Sequence, residues 1–110
     1  MEQSTNNEST GGRQIACLLS EADQARRGAE IADDLFFHVA ETRELADGYA
    51  VRLPGGDEWF ERVAAFVAAE RRCCPFFRFE IVSEPDDGPI WLSLRGEAGV
   101  KEFVATAMLR

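Results

Sequence analysis

The sequence predicts an α+β domain in the order α-β-β-α-β-β-α, an antiparallel four-stranded sheet covered on one side by helices. Three observations predict it. Apolar and polar residues alternate at 49–53, 77–81 and 90–94, the period of half-buried strands. Apolar residues recur at three- and four-residue spacing at 20–36, 57–73 and 98–109, the period of helices. The connections between these segments are short, so successive elements run antiparallel.

Each element has its own local reason. Residues 1–13, ending in Gly11 and Gly12, are polar and carry too few apolar side chains to offset their ordering entropy, so they read as a disordered tail before a single domain at 14–110. Ser20 and Asp23 are placed as a helix cap, and Ala22, Ala25, Ala29, Ala32 and Phe36 give the first helix a small, flat apolar stripe. The segments 38–45 and 49–54 flank Ala46-Asp47-Gly48, which reads as a three-residue hairpin loop with Gly48 left-handed and Leu45 opposite Tyr49. Tyr49, Val51 and Leu53 point to one face of the resulting strand, and Pro54, Gly55 and Gly56 stop it.

The second helix opens on Asp57 and Glu58, acids suited to the positive end of a helix dipole. Trp59, Phe60, Val63, Phe66 and Val67 form its expected buried side. Pro75 pushes the residue before it out of the helical region, so Cys73 should close the helix and Cys74 should already be extended. A second strand pair follows, with Phe77, Phe79 and Ile81 facing inward on one strand and Ile90, Leu92 and Leu94 on the other, joined by a turn at 83–89. The last helix should bury Val100, Phe103, Val104 and Ala107.

The chemistry lies in the cysteines. Cys17 stands three residues before the first helix, and Cys73 and Cys74 close the second. In the antiparallel succession these two places share one end of the domain, which predicts a three-thiol cluster. Glu70, three and four positions before the pair, shares their side of the helix and offers an oxygen ligand or a proton acceptor. Arg71 and Arg72 favour thiolate and the negative end of the helix dipole opposes it, so the sign of the balance stays open. His38, the one histidine, falls about 20 Å or more from the thiols if the first helix runs its full length at about 1.5 Å per residue, and is excluded as a ligand.

Three thiolates suit a soft ion such as mercuric mercury, trivalent arsenic or cuprous copper. Zinc ranks second, because a closed structural zinc site takes four protein ligands and only a carboxylate could supply the fourth here. A disulfide between the adjacent cysteines would be strained, since a trans peptide holds their Cα atoms about 3.8 Å apart, below the usual range starting near 4.4 Å. Two other readings stay open. One is a thiol redox protein, in which the vicinal pair or a Cys17 to Cys74 bridge forms reversibly; the other is an interaction domain whose cysteines pack as small apolar side chains.

Composition narrows the rest. The formal charge of −8, from 20 acidic and 12 basic residues among 110, disfavours contact with nucleic-acid backbones and anionic membranes. No signal-peptide pattern and no long apolar run stand in the sequence, and an odd three cysteines fit free thiols, so a cytoplasmic location is expected. Glu41, Glu44 and Asp47 have the wrong spacing for a hard-metal loop or a carboxylate-pair active site. A cysteine nucleophile usually has a histidine partner, and only Glu70 lies near the thiols as a base, so a non-enzymatic protein is expected.

At Glu70-Arg71-Arg72-Cys73-Cys74-Pro75-Phe76 the chain resembles a family of small bacterial proteins built around Glu-Arg-x-Cys-Cys-x-Phe. The resemblance extends from "IACLLS" through "DGYAVRLPGGDEW" to "GPIWLSLRGEAGVKEF". Similar modules are associated with heavy-metal-responsive regulators of the mercury-resistance type, where the cysteine pair is taken to bind or sense metal. That implies metal ligation by Cys73 and Cys74, with Glu70 and Arg71 as motif neighbours and Cys17 as third thiol. The winged-helix DNA-binding portion of such regulators has no counterpart in this sequence, so no transcriptional role is implied.

Overall fold

The computed structural model describes residues 22–109. The tail at 1–13, the cap at Ser20 and Cys17 lie outside the described residues. The elements are α1 (Ala22–Phe37), β1 (Glu41–Leu45), β2 (Gly48–Leu53), α2 (Asp57–Cys73), β3 (Arg78–Ser83), β4 (Ile90–Arg95) and α3 (Val100–Ala107). This is the predicted α+β order. The four strands form one antiparallel sheet in the order β1-β2-β4-β3.

One face of the sheet makes the core. Val51, Leu92 and Ile81 share a register row, as do Tyr49, Leu94 and Phe79, and α2 and α3 lie against that face. Val51, Val63, Phe66, Leu92, Leu94, Val100 and Val104 have no exposed surface. Burying aliphatic side chains of this size contributes roughly 1.5–3 kcal/mol each. The opposite face centres on Ala50 and Ser93, small residues paired across β2 and β4, flanked by arginines and by Trp91. There the Arg43 guanidinium sits 4.1 Å from the Trp91 ring centroid.

The helix α1 packs on α2, with Phe36 edge-on to Phe66 at 5.5 Å and Arg62 3.8 Å from Asp34. His38, just past the end of α1, lies against Trp59 near the start of α2. The two helices are therefore antiparallel, and the start of α1 points toward the end of α2.

Several side chains depart from the sequence reading. The buried stripe of α1 is made by Leu35 with Ile31, Ala32 and Phe36, while Ala29 is exposed, because larger side chains two residues along bury more area against α2. Phe60 is 43% exposed and Ala107 lies outside the core, since Val63 and Val104 take the central positions of their helices.

The hairpin is also tighter than expected. Leu45 pairs with Gly48 and Glu44 with Tyr49, leaving only Ala46 and Asp47 in the loop, and Gly48 has no positive φ. Its glycine is explained by space instead: a Cβ there would run into the Leu94 carbonyl oxygen and come within 2.9 Å of the Arg95 Cα. Positive φ is found elsewhere among the described residues, at Gly56 (103°) and Gly99 (98°), which open α2 and α3, and at Asp86 (61°) and Asp87 (55°) in the β3–β4 turn, a conformation aspartate tolerates.

Candidate thiol and carboxyl site

The corner between α2 and β3 is built by the backbone. The last helical bond runs from the Cys74 N–H to the Glu70 carbonyl at 2.6 Å, after which Cys74 leaves the helix at φ −127° and ψ 72°. Pro75 has no N–H to continue the ladder and restricts the residue before it. The Phe77 N–H then reaches the Cys74 carbonyl at 3.1 Å and closes a turn, so β3 starts at Arg78, one residue later than the alternation at Phe77 suggests. Phe76 packs edge-on to Phe77 at 4.9 Å and to Phe103 of α3 at 5.7 Å, which pins the turn to the third helix.

This geometry brings Glu70, Cys73 and Cys74 together. One ligand atom of each, a carboxylate oxygen and two sulfurs, lies within 4.8 Å of the others. The three residues are 6%, 8% and 2% exposed, so the group belongs to the core and not to the solvated end of a helix. Cys73 is disulfide-bonded, and Cys74 is a free thiol. Cys17, the chain's other cysteine, lies outside the described residues.

Burial sets the protonation of the site. It pushes the Glu70 carboxyl above its usual range, partly offset by a hydrogen bond that the Cys74 thiol donates to it. Burial, together with the neighbouring Glu70 charge and that same hydrogen bond, pushes the Cys74 thiol up to about 12. The balance left open by the sequence therefore falls toward the neutral thiol. Arg71 and Arg72 are exposed, where water screens them, and they do not reverse it.

His38 is remote from this group, as its place in the sequence predicts. Its ring stands 4.9 Å from that of Trp59, and Trp59 precedes Cys73 by 14 helical residues, about 21 Å at 1.5 Å each. The His38 Nδ1 lies 2.9 Å from the Asp34 carbonyl oxygen, a cap on the end of α1. An open cleft lined by Asp47, Pro75, Phe76, Phe77, Arg78 and Glu97 adjoins the thiol corner through Pro75. No helix among the described residues is long and apolar enough to cross a membrane.

The fold and the site together define a small α+β domain that carries vicinal cysteines and a buried carboxyl at a helix-to-strand corner. No known protein family, curated protein or solved structure matches the chain.

Proposed function

We propose that this chain binds a soft metal ion or metalloid, of the mercuric, arsenite or cuprous type, through Cys73 and Cys74, with Glu70 as the neighbouring oxygen donor. The convergence of these three ligand atoms within 4.8 Å carries the reading. Two sulfurs bound to one ion at about 2.3 Å each stand at most about 4.6 Å apart, so little movement would bring them into range. Glu70 adds weight because a carboxyl costs stability in a core and is rarely placed there for packing. Cys17 is the proposed third thiol, on its place in the sequence before the helix whose start points toward the end of α2. The likeness to the Glu-Arg-x-Cys-Cys-x-Phe modules of mercury-resistance-type regulators supports the same pair. Binding displaces the Cys74 proton, and the adjacent Glu70 carboxylate is placed to take it.

The test uses the full chain, reduced and then freed of reductant. Equilibrium dialysis against mercuric or arsenite ion should show thiol-dependent uptake. A Cys73→Ser, Cys74→Ser double variant that binds as tightly as the parent would sink the proposal.

One observation favours a thiol redox role instead, namely that Cys73 is disulfide-bonded. Against a redox reaction within the vicinal pair stands the Cys74 thiol, pushed up to about 12. At neutral pH its thiolate fraction is on the order of one part in 100,000, a poor attacking group. Mass spectrometry after mild peroxide distinguishes the two: a loss of two hydrogens confined to Cys73 and Cys74 in the reduced chain supports redox chemistry at the pair.

A further inference from the structure

We propose that the disulfide at Cys73 is a redox gate on this site: while it stands it withholds one of the two sulfur ligands, and its reduction by an external thiol opens the site to a soft cation. The inference rests on the metal-binding reading and states how that site is controlled.

The ligand group contains one free thiol, one carboxyl and one sulfur that is already bonded. A disulfide sulfur has no thiolate charge, and thiolate is the form that ligates metal. In the oxidised chain a thiophilic ion meets Cys74 and Glu70 alone. In the reduced chain it meets two sulfurs and an oxygen already gathered at one corner.

The neighbouring thiol does not open the gate. If the Cys74 sulfur attacked the Cys73 sulfur, the product would bridge adjacent residues whose Cα atoms are about 3.8 Å apart, short of the usual disulfide range from about 4.4 Å. Opening therefore takes an outside reductant of the low-molecular-weight thiol or dithiol class. Its thiolate attacks the disulfide, forming a mixed disulfide and releasing one protein thiolate. A second reductant thiolate attacks the mixed disulfide and releases the other protein thiolate together with the oxidised reductant. Two electrons pass to the protein, and the two protons left by the reductant thiols are available to the two new protein thiols.

Arsenite is the probe, because it forms stable adducts with two thiols and weak ones with a single thiol. Each As–S bond replaces an As–OH group, and the hydroxyl leaves as water with the thiol proton. Full-length chain is purified without reductant, and a second portion is reduced with a phosphine and desalted under argon. Thiol titration in denaturant should give fewer reactive thiols before reduction than after it, when all three of the chain's cysteines titrate.

Equilibrium dialysis should then show stoichiometric arsenite uptake by the reduced chain and at least 100-fold weaker uptake by the oxidised chain. Cys74→Ser and Cys74→Ala, with folding checked by near-ultraviolet circular dichroism, should weaken arsenite uptake by the reduced chain. Equal uptake by both forms overturns the gate while leaving the metal-binding reading in place. Undiminished uptake by the folded Cys74 variants places the controlled thiols elsewhere and also overturns it. No uptake by either form removes the metal reading, and the gate with it.

Discussion

The protonation of Cys74 makes a direct prediction about alkaline stability. The folded chain holds this thiol up to about 12, whereas the unfolded chain titrates it near the ordinary 9.0. Between these values the unfolded state releases a proton that the folded state keeps. The stabilisation is therefore full below pH 9 and is lost as pH rises toward 12. Linkage gives the size: at pH 11 the wild type should have lost about 2.5 kcal/mol from this group alone, approaching about 4 kcal/mol at the limit. Cys74→Ala removes the titrating group but keeps every lysine, arginine and tyrosine, whose alkaline effects cancel in the comparison. The assay is urea unfolding of metal-free protein, followed by the fluorescence of Trp59 and Trp91, at pH 7, 8.5, 10 and 11. Cys74→Ala should start about 1–3 kcal/mol less stable through the lost sulfur contacts, and the gap should close or reverse by pH 11. A constant gap from pH 7 to 11 would refute the claim that burial holds the thiol neutral.

Three further outcomes follow from other parts of the structure. Glu70→Gln keeps the shape and an oxygen to accept the Cys74 proton; since burial raises the Glu70 carboxyl, stability from its neutral form is lost as pH rises through that raised value, so the variant should be at least as stable as wild type at pH 7 by chemical denaturation. Gly48→Ala puts a methyl group into the β4 backbone at Leu94 and Arg95, and should cost on the order of 1–3 kcal/mol or more, with a lowered melting temperature; an unchanged value would contradict the close approach. Leu92→Ala in the central strand should cost about 2–5 kcal/mol, whereas Lys101→Ala, which breaks a solvent-screened surface pair with Glu44, should leave the denaturation midpoint nearly unchanged.

The element order was legible because each segment repeats its period over several turns or residues, as at Ile90, Leu92 and Leu94 or along Val63, Phe66 and Val67 on α2. What was not legible depends on neighbours distant in sequence. Gly48 looks like a turn glycine, yet its constraint comes from the backbone of β4, more than forty residues away. Phe60 looks like a core residue by type, but its position on α2 turns it away from the sheet, where Val63 and Phe66 already fill the space. Ala29 fails for the same reason, because Ile31 and Leu35 are the side chains α1 turns inward.

For the site, sequence gave Glu70, Cys73 and Cys74 by spacing alone, and Pro75 explained why the helix must stop between the two thiols. The electrostatic sign could not be obtained that way. Arg71 and Arg72 are as near to the thiols in sequence as Glu70 is, but they point to water while Glu70 points into the core. Which neighbour dominates is decided by burial, and burial depends on the sheet and on Phe76, Phe77 and Phe103 closing over the corner. Those aromatic contacts also give the cysteines their setting. A helix that ended in the same residues without a proline and an aromatic turn behind it would leave the Cys74 thiol solvated and nearer its ordinary acidity. Here the chain turns directly from α2 into β3, so the pair is carried inward together with its carboxyl, and any cation that binds must displace protons from a dry site.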